Sequence, residues 1–149
     1  MSFMKGGRVF LDTNVVVYAY DVSAGDKHSI AEDIIDGLWR SGVGIISVQV
    51  LTEFFVTITT KIPNPMDKDT VREIVRDFLK WDVVVNDGES ILKAIDIHQR
   101  YQYSFRDSMI IQSAIKGNAA LLLSEDLSDG QTIEGVRIRN PFVEITRTS

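Results

Sequence analysis

Cysteine is absent from the 149 residues, so the chain has no disulfide and no thiolate metal site, which fits a reducing compartment. Proline occurs only 3 times and histidine twice. No run nears the ~18 apolar residues that suggest a membrane span. No basic segment leading into an apolar stretch opens the chain. The sequence therefore reads as having neither signal peptide nor membrane anchor, and a cytoplasmic location is expected. Positive charge is not in excess either: 16 Lys+Arg stand against 21 Asp+Glu, a net charge of −5, which argues against a broad phosphate-binding face. Internal repeats, low-complexity tracts and linkers are also missing, so residues 1–149 are expected to form a single domain.

What is present is an ordinary globular mixture, 44% hydrophobic and 25% charged. Val9, Phe10 and Leu11 read as a first buried strand, and Asp12-Thr13-Asn14 supplies N-capping side chains for a short helix ending near Tyr20. Ile30, Ile34, Ile35 and Leu38 recur at helical spacing, which predicts a helix over residues 28–39. Ile45 to Val48 is strand-like. Residues 49–60 are rich in β-branched side chains, yet Phe54-Phe55-Val56 breaks strand alternation, and the segment is read as helix. Pro63 and Pro65 mark a loop, after which Asp67 or Asp69 caps a helix facing the core through Val71, Ile74, Val75, Phe78 and Leu79. A third strand at Val83-Val84-Val85 is followed by helices over residues 89–101 and 106–116, the latter closed by Gly117-Asn118. A fourth strand is expected over 119–123 and a last, edge strand over 135–138, with Pro141 opening a short tail. Strands alternating with helices predict an α/β fold whose central sheet is mostly parallel and flanked by helices.

Four acids stand out by position. Asp12 follows the first strand and Asp126 the fourth, so both fall on the same edge of a parallel sheet, where ligands of open α/β sheets bind. Asp107 shares a helix face with Ile110, Ile111 and Ala114, and Glu53 shares one with Val50 and Val56. Two like charges about 4 Å apart repel by roughly 4 kcal/mol at an effective dielectric near 20. Crowded acids therefore need an offset: protonation, a Lys or Arg partner, or a hard cation such as Mg²⁺. Each acid also has a plain structural use, Asp12 and Asp107 as helix caps, Asp126 in a turn, and Glu53 on a solvated helix face.

The motifs Val-Phe-Leu-Asp12-Thr-Asn14, Glu53 after Ser-Val-Gln-Val-Leu-Thr, Ser-Phe-Arg-Asp107-Ser-Met-Ile-Ile and Leu-Leu-Leu-Ser124-Glu-Asp126-Leu-Ser-Asp129-Gly together resemble a PIN-domain ribonuclease, above all the VapC-like toxins of toxin–antitoxin pairs. The resemblance covers nearly the whole chain in motif order. It implies a three-layer PIN-like fold and a Mg²⁺- or Mn²⁺-dependent endoribonuclease leaving a 5′-phosphate and a 3′-hydroxyl. It implies further that Asp12, Glu53, Asp107 and Asp126 bind metal and act in catalysis, that Asn14 and Ser124 steady them, and that Asp129 adds a nearby carboxylate. A homodimer and a cognate antitoxin are the implied protein partners. Arg106 departs from the family, which often has an aromatic residue there; it either touches substrate phosphate or pairs with an acid. The low net charge weighs less against a nuclease whose metal ions carry the positive charge.

Other features carry less. His28 reads as a surface or capping residue and His98 as a helix-face histidine, with no Ser or Cys nucleophile pattern beside them. Trp39, Trp81 and Phe54-Phe55 read as core or core edge. The competing functions are a phosphoacceptor signalling domain, which wants an acidic pair after the first strand and an aspartate after the third, a non-catalytic PIN-like nucleic-acid-binding module, and a DNA nuclease with the same acids.

Overall fold

Residues 7–143 are described by the structure, a computed structural model. Its centre is the apolar triplet β1 (Val9–Leu11), buried on both faces. Chain order then runs through α1 (Thr13–Tyr20), a 3-10 turn at Val22–Ala24, α2 (Asp26–Ser41), β2 (Gly44–Ser47), α3 (Val48–Thr60), α4 (Lys68–Phe78), β3 (Asp82–Val84), α5 (Gly88–Tyr101), α6 (Phe105–Lys116), β4 (Leu121–Leu123), β5 (Thr132–Ile133) and β6 (Val136–Arg139). The strands form one sheet in the order β3-β2-β1-β4-β6-β5, parallel except for the β5–β6 pair. Helix α1 packs on α2 and α3, α3 packs on α4, and α5 packs on α6. A mostly parallel sheet needs apolar cover on both faces, which is why β1 and β4 read as unbroken hydrophobic runs.

The β-branched segment is helical, as expected. Its apolar residues Val50, Leu51, Phe54 and Ile58 lie on one buried face, and the Ser47 hydroxyl caps it by accepting from the Val50 amide at 3.1 Å. Packing of that face overrides the strand propensity of its valines and threonines. Asp67, rather than Asp69, caps α4, taking the Thr70 amide at 3.1 Å. The edge-strand assignment of residues 135–138 is corrected: β6 is interior, paired with β4 on one side and β5 on the other. The true edge, β5, is two residues long and leaves no periodic trace. It forms through a two-residue turn in which Glu134 (φ 47°) and Gly135 (φ 85°) both take positive φ, the geometry of a type I′ hairpin.

Below the sheet's β2–β3 side sits an aromatic cluster. Phe78 is fully buried, with ring centroids 5.0 Å from Trp81, 5.8 Å from Trp39, and 6.4 Å from both Tyr20 and Phe54. Trp81 covers the start of β2 so closely that a Cβ on Gly44 would lie 2.7 Å from its ring. Truncating the hub ring removes edge-to-face contacts with Tyr20, Phe54 and Trp81 and a tilted contact with Trp39, and leaves a void. Phe78→Ala should lower unfolding free energy by about 3–5 kcal/mol, read as a shift in urea midpoint at unchanged m-value.

Candidate active site

Strand order reverses at β1. The chain lays β2 and β3 to one side and then returns to place β4 on the other. The crevice beyond the carboxyl ends of β1 and β4 is thus the topological switch point. The register pairs Leu11 with Leu123, and the Asp12 amide continues the ladder to the Leu123 carbonyl at 3.0 Å. Asp12 and Ser124 therefore emerge side by side, and the Ser124 hydroxyl donates to Asp12 Oδ2 at 2.8 Å. Asp12 is wholly buried, and its Oδ1 accepts the Thr13 amide at 2.7 Å, so one carboxylate both caps α1 and faces the site.

Two other helices bring acids to this point. From the second turn of α3, Glu53 accepts the Thr13 hydroxyl at 2.6 Å. Its apolar flank is one-sided, because Val50 is buried whereas Val56 is 47% exposed, so Glu53 lies half-buried on a cleft wall rather than in the core. Asp107 is the third residue of α6. The cap of that helix is Ser104, whose hydroxyl accepts the Asp107 amide at 3.1 Å, leaving the Asp107 carboxylate free to face the site from the positive end of the helix dipole.

Arg106 joins the three acids. Its Nε donates to Glu53 Oε2 at 3.1 Å and its Nη2 to Glu53 Oε1 at 2.5 Å. The same Nη2 reaches Asp12 Oδ1 and Thr13 Oγ1, both at 3.0 Å, while Nη1 reaches Asp107 Oδ1 at 3.0 Å and Asp12 Oδ2 at 3.5 Å. Of the two roles left open for Arg106, pairing with acids is the one the structure displays. Burial works against its charge, but the bonds to Glu53 and the charge of Asp12 outweigh this and hold its pKa above the ordinary arginine value. Glu53 is likewise disfavoured by burial, yet its bonds from Arg106 and Thr13 keep its carboxyl below the usual range. For Asp12 burial wins: its pKa is raised in spite of Arg106, Ser124 and the Thr13 amide.

Asp126 stands apart from this knot. It is exposed on a cleft of about 620 Å³ that is also lined by Thr13, Asn14, Glu53, Lys61 and Arg106. Asn14 holds it, donating from Nδ2 to Asp126 Oδ2 at 3.0 Å, and takes the Glu125 amide on its own oxygen at 3.3 Å. Asp129 is engaged elsewhere: its Oδ1 accepts from Arg139 Nε at 3.2 Å and from the Asn140 amide at 2.9 Å, so it adds no carboxylate to the cleft. Among the described residues no three acidic or histidine side chains stand together as a ready metal cage. The all-oxygen donor set of Asp12, Glu53 and Asp107 nevertheless converges on one cationic head, which is the chemistry of a hard-cation site. His28 bonds the Tyr18 carbonyl and His98 the Tyr103 carbonyl through Nδ1, and neither histidine lines this cleft.

The PIN domain family model matches residues 9–128, which contain all four acids. The chain belongs to the PIN-domain family. No curated protein matches it. Among solved structures it is similar to a toxin–antitoxin complex from Klebsiella pneumoniae, with 18% identity over 89% of this chain and 97% of that one and a TM-score of 0.61. It is similar also to VapC20 of Mycobacterium tuberculosis, a toxin that cleaves the sarcin–ricin loop, at 19% identity over 76% of this chain and 86% of that one, TM-score 0.57. VapBC2 from Rickettsia felis, bound to a DNA fragment from its promoter, matches at 17% identity over 89% and 97%, TM-score 0.62. At these identities the likeness is one of fold.

In this PIN domain one contributor was missed from the sequence. Thr13 bridges Glu53 and Arg106, but its place in a capping triplet masked that. Arg106 did leave a signal. A cation in the first turn of a helix opposes the dipole, so an arginine there implies an acidic partner. Ser124 is the least conspicuous support. Its hydroxyl donates to Asp12 and accepts the Asp126 amide at 3.2 Å. Ser124→Ala should destabilise the metal-free protein by about 1–3 kcal/mol in urea unfolding, since it strips a buried carboxylate of a donor and the Asp126 amide of its acceptor.

Proposed function

We propose that this protein is a metal-dependent endoribonuclease and the toxin of a toxin–antitoxin pair. The observation that carries the reading is the meeting of Asp12, Glu53 and Asp107 around one cationic group at the switch point, with Asp126 across the same cleft. Family membership supports nuclease chemistry, and the similar solved structures, two of them toxin–antitoxin assemblies, support the toxin role.

Asp12, Glu53 and Asp107 would hold the ion, Mg²⁺ or Mn²⁺, with Asp126 completing the acidic rim. When bound, such an ion supplies Lewis-acid polarisation of a phosphate and lowers the pKa of water. The chain's own groups do the rest. Ser124 and the Thr13 amide fix the direction of Asp12, so that its oxygens need no reorganisation. Asp126 forms no ion pair among the described residues and stands open to the cleft, where it would take a proton from an attacking water. Lys61, on the same wall, offers a positive charge to the RNA backbone. The phosphoacceptor alternative finds no support. Asp87, the aspartate after β3, caps α5 through the Ser90 amide at 3.0 Å, and β3 lies at the far edge of the sheet.

An apolar groove of about 580 Å³ between α3 and α4, lined by Leu51, Phe55, Val75 and Leu79, shares Thr52 and Val56 with the acidic cleft. An antitoxin segment seated there would abut the cleft and block RNA. The homodimer stays part of the proposal, as does a single domain spanning the chain. Among the described residues no helix is long and apolar enough to cross a membrane.

The test is incubation of the antitoxin-free protein with total RNA, with Mg²⁺, with Mn²⁺ or with chelator, followed by mapping of the ends. Cleavage only with metal, leaving 5′-phosphates, is the expected result. Asp12→Asn and Asp107→Asn should each slow it by more than about 100-fold, beyond the loss typical of an outer-shell partner. RNA that is bound but left intact with either metal would instead indicate a binding module.

A further inference from the structure

We propose that Arg106 is a tethered counter-cation that occupies the divalent-metal position of the acid centre and must leave before metal can bind. The inference rests on the metal-dependent reading above and adds a positioning residue to it.

Three observations carry it. First, all three nitrogens of the guanidinium are committed to the same oxygens a metal would need: both of Asp12, both of Glu53 and one of Asp107. A lone pair that accepts an arginine N–H is not available to a cation. Secondly, Asp12 is fully buried and is not part of the cleft wall, whereas Arg106 is part of that wall and touches Asp12. An ion entering from the cleft therefore meets the guanidinium before it meets Asp12. Thirdly, the arginine has somewhere to go. Its side chain is 36% exposed and borders a cleft of about 620 Å³. The dipole of its own helix does not favour its present place, because a cation at the second residue of α6 opposes it. The acids hold it there, and a divalent ion competes for the same acids with twice the charge.

The consequence is a displacement equilibrium. Metal binds only the fraction of molecules with Arg106 withdrawn, so the apparent dissociation constant is the intrinsic one divided by that fraction. The chain thereby keeps its acids assembled without metal and sets its own threshold for metal loading.

Two measurements without RNA test this. In calorimetric titration with MnCl₂, Arg106→Gln should bind at least about tenfold more tightly than wild type, within the usual range of coupling between sites. Arg106→Lys, which keeps the charge but loses the fork, should fall between them, and Asp12→Asn should show no binding. On wild type itself, MgCl₂ titration followed by NMR should move the Arg106 Nε–H resonance from a protected, hydrogen-bonded position to that of a solvent-exchanging arginine. This reading stands even if Arg106→Gln fails to fold. An unchanged resonance at saturating Mg²⁺, or Mn²⁺ affinities within about threefold between wild type and Arg106→Gln, overturns the displacement while leaving the metal site intact. Absence of binding to wild type and variants alike, or equal binding by Asp12→Asn, overturns the metal reading and the displacement with it.

Discussion

The structure depends on how a small volume tolerates three carboxylates. Asp12, Glu53 and Asp107 all lie within hydrogen-bonding reach of the Arg106 head, and like charges about 4 Å apart repel by roughly 4 kcal/mol at an effective dielectric near 20. One guanidinium returns attraction of similar size to each acid, because its planar fork presents several donors at once. Helix dipoles add to this, since Asp12 caps α1 and Asp107 sits in the first turn of α6. The shifts in proton affinity show how the strain is shared. The partly open Glu53 is held ionised by Arg106 and Thr13, while the sealed Asp12 is pushed toward its neutral form by burial.

Around that knot the backbone leaves little freedom. The ladder bond between Asp12 and Leu123 sets the spacing of β1 and β4, and Ser124 spans it with a side-chain bond. The loop after β4 is then pinned from the α1 and α2 side. Tyr18 donates its hydroxyl to Glu125 at 2.6 Å, Lys27 pairs with the same carboxylate at 2.5 Å, and Asn14 takes the Glu125 amide. Glu125 is thus structural although it sits between Ser124 and Asp126. Its bonds aim the loop so that Asp126 opens onto the cleft instead of folding back to Arg106.

Much of this was legible in the sequence because it rests on local rules. The triplets Val9-Phe10-Leu11 and Leu121-Leu122-Leu123 announce doubly buried strands, and an acid just past each announces the shared edge. Asp12 and Asp67 mark helix starts by their capping carboxylates, whereas the caps Ser47, read as part of a strand, and Ser104, passed over for Asp107, were not legible. What else stayed hidden has non-local causes. The pairing of β5 needs only two residues, too few for a period, and it moves β6 from the edge to the interior. Asp129 looks equivalent to Asp126 along the chain, but the return of β6 brings Arg139 to it. The grip of Arg106 on Glu53 spans 53 positions and that on Asp12 spans 94, so no local pattern reports either.

The charge balance at the centre bears on how RNA and metal are taken up on the proposed reading. Three carboxylates against one guanidinium leave the knot formally negative, and Asp126 adds to it across the cleft. The chain as a whole is also acidic, at −5. A polyanion approaching the metal-free cleft finds Lys61 on the wall but a repulsive floor. On that reading, entry of a divalent ion would offset most of this negative charge and, by displacing Arg106, would free a guanidinium beside the cleft. Each event favours the other, since an arginine released from carboxylates is stabilised by a phosphate partner, and a phosphate is stabilised by both cations. On the proposed reading metal loading and RNA binding would be linked through one side chain, and by reciprocity RNA would tighten the hold on metal by the same factor that metal tightens the hold on RNA.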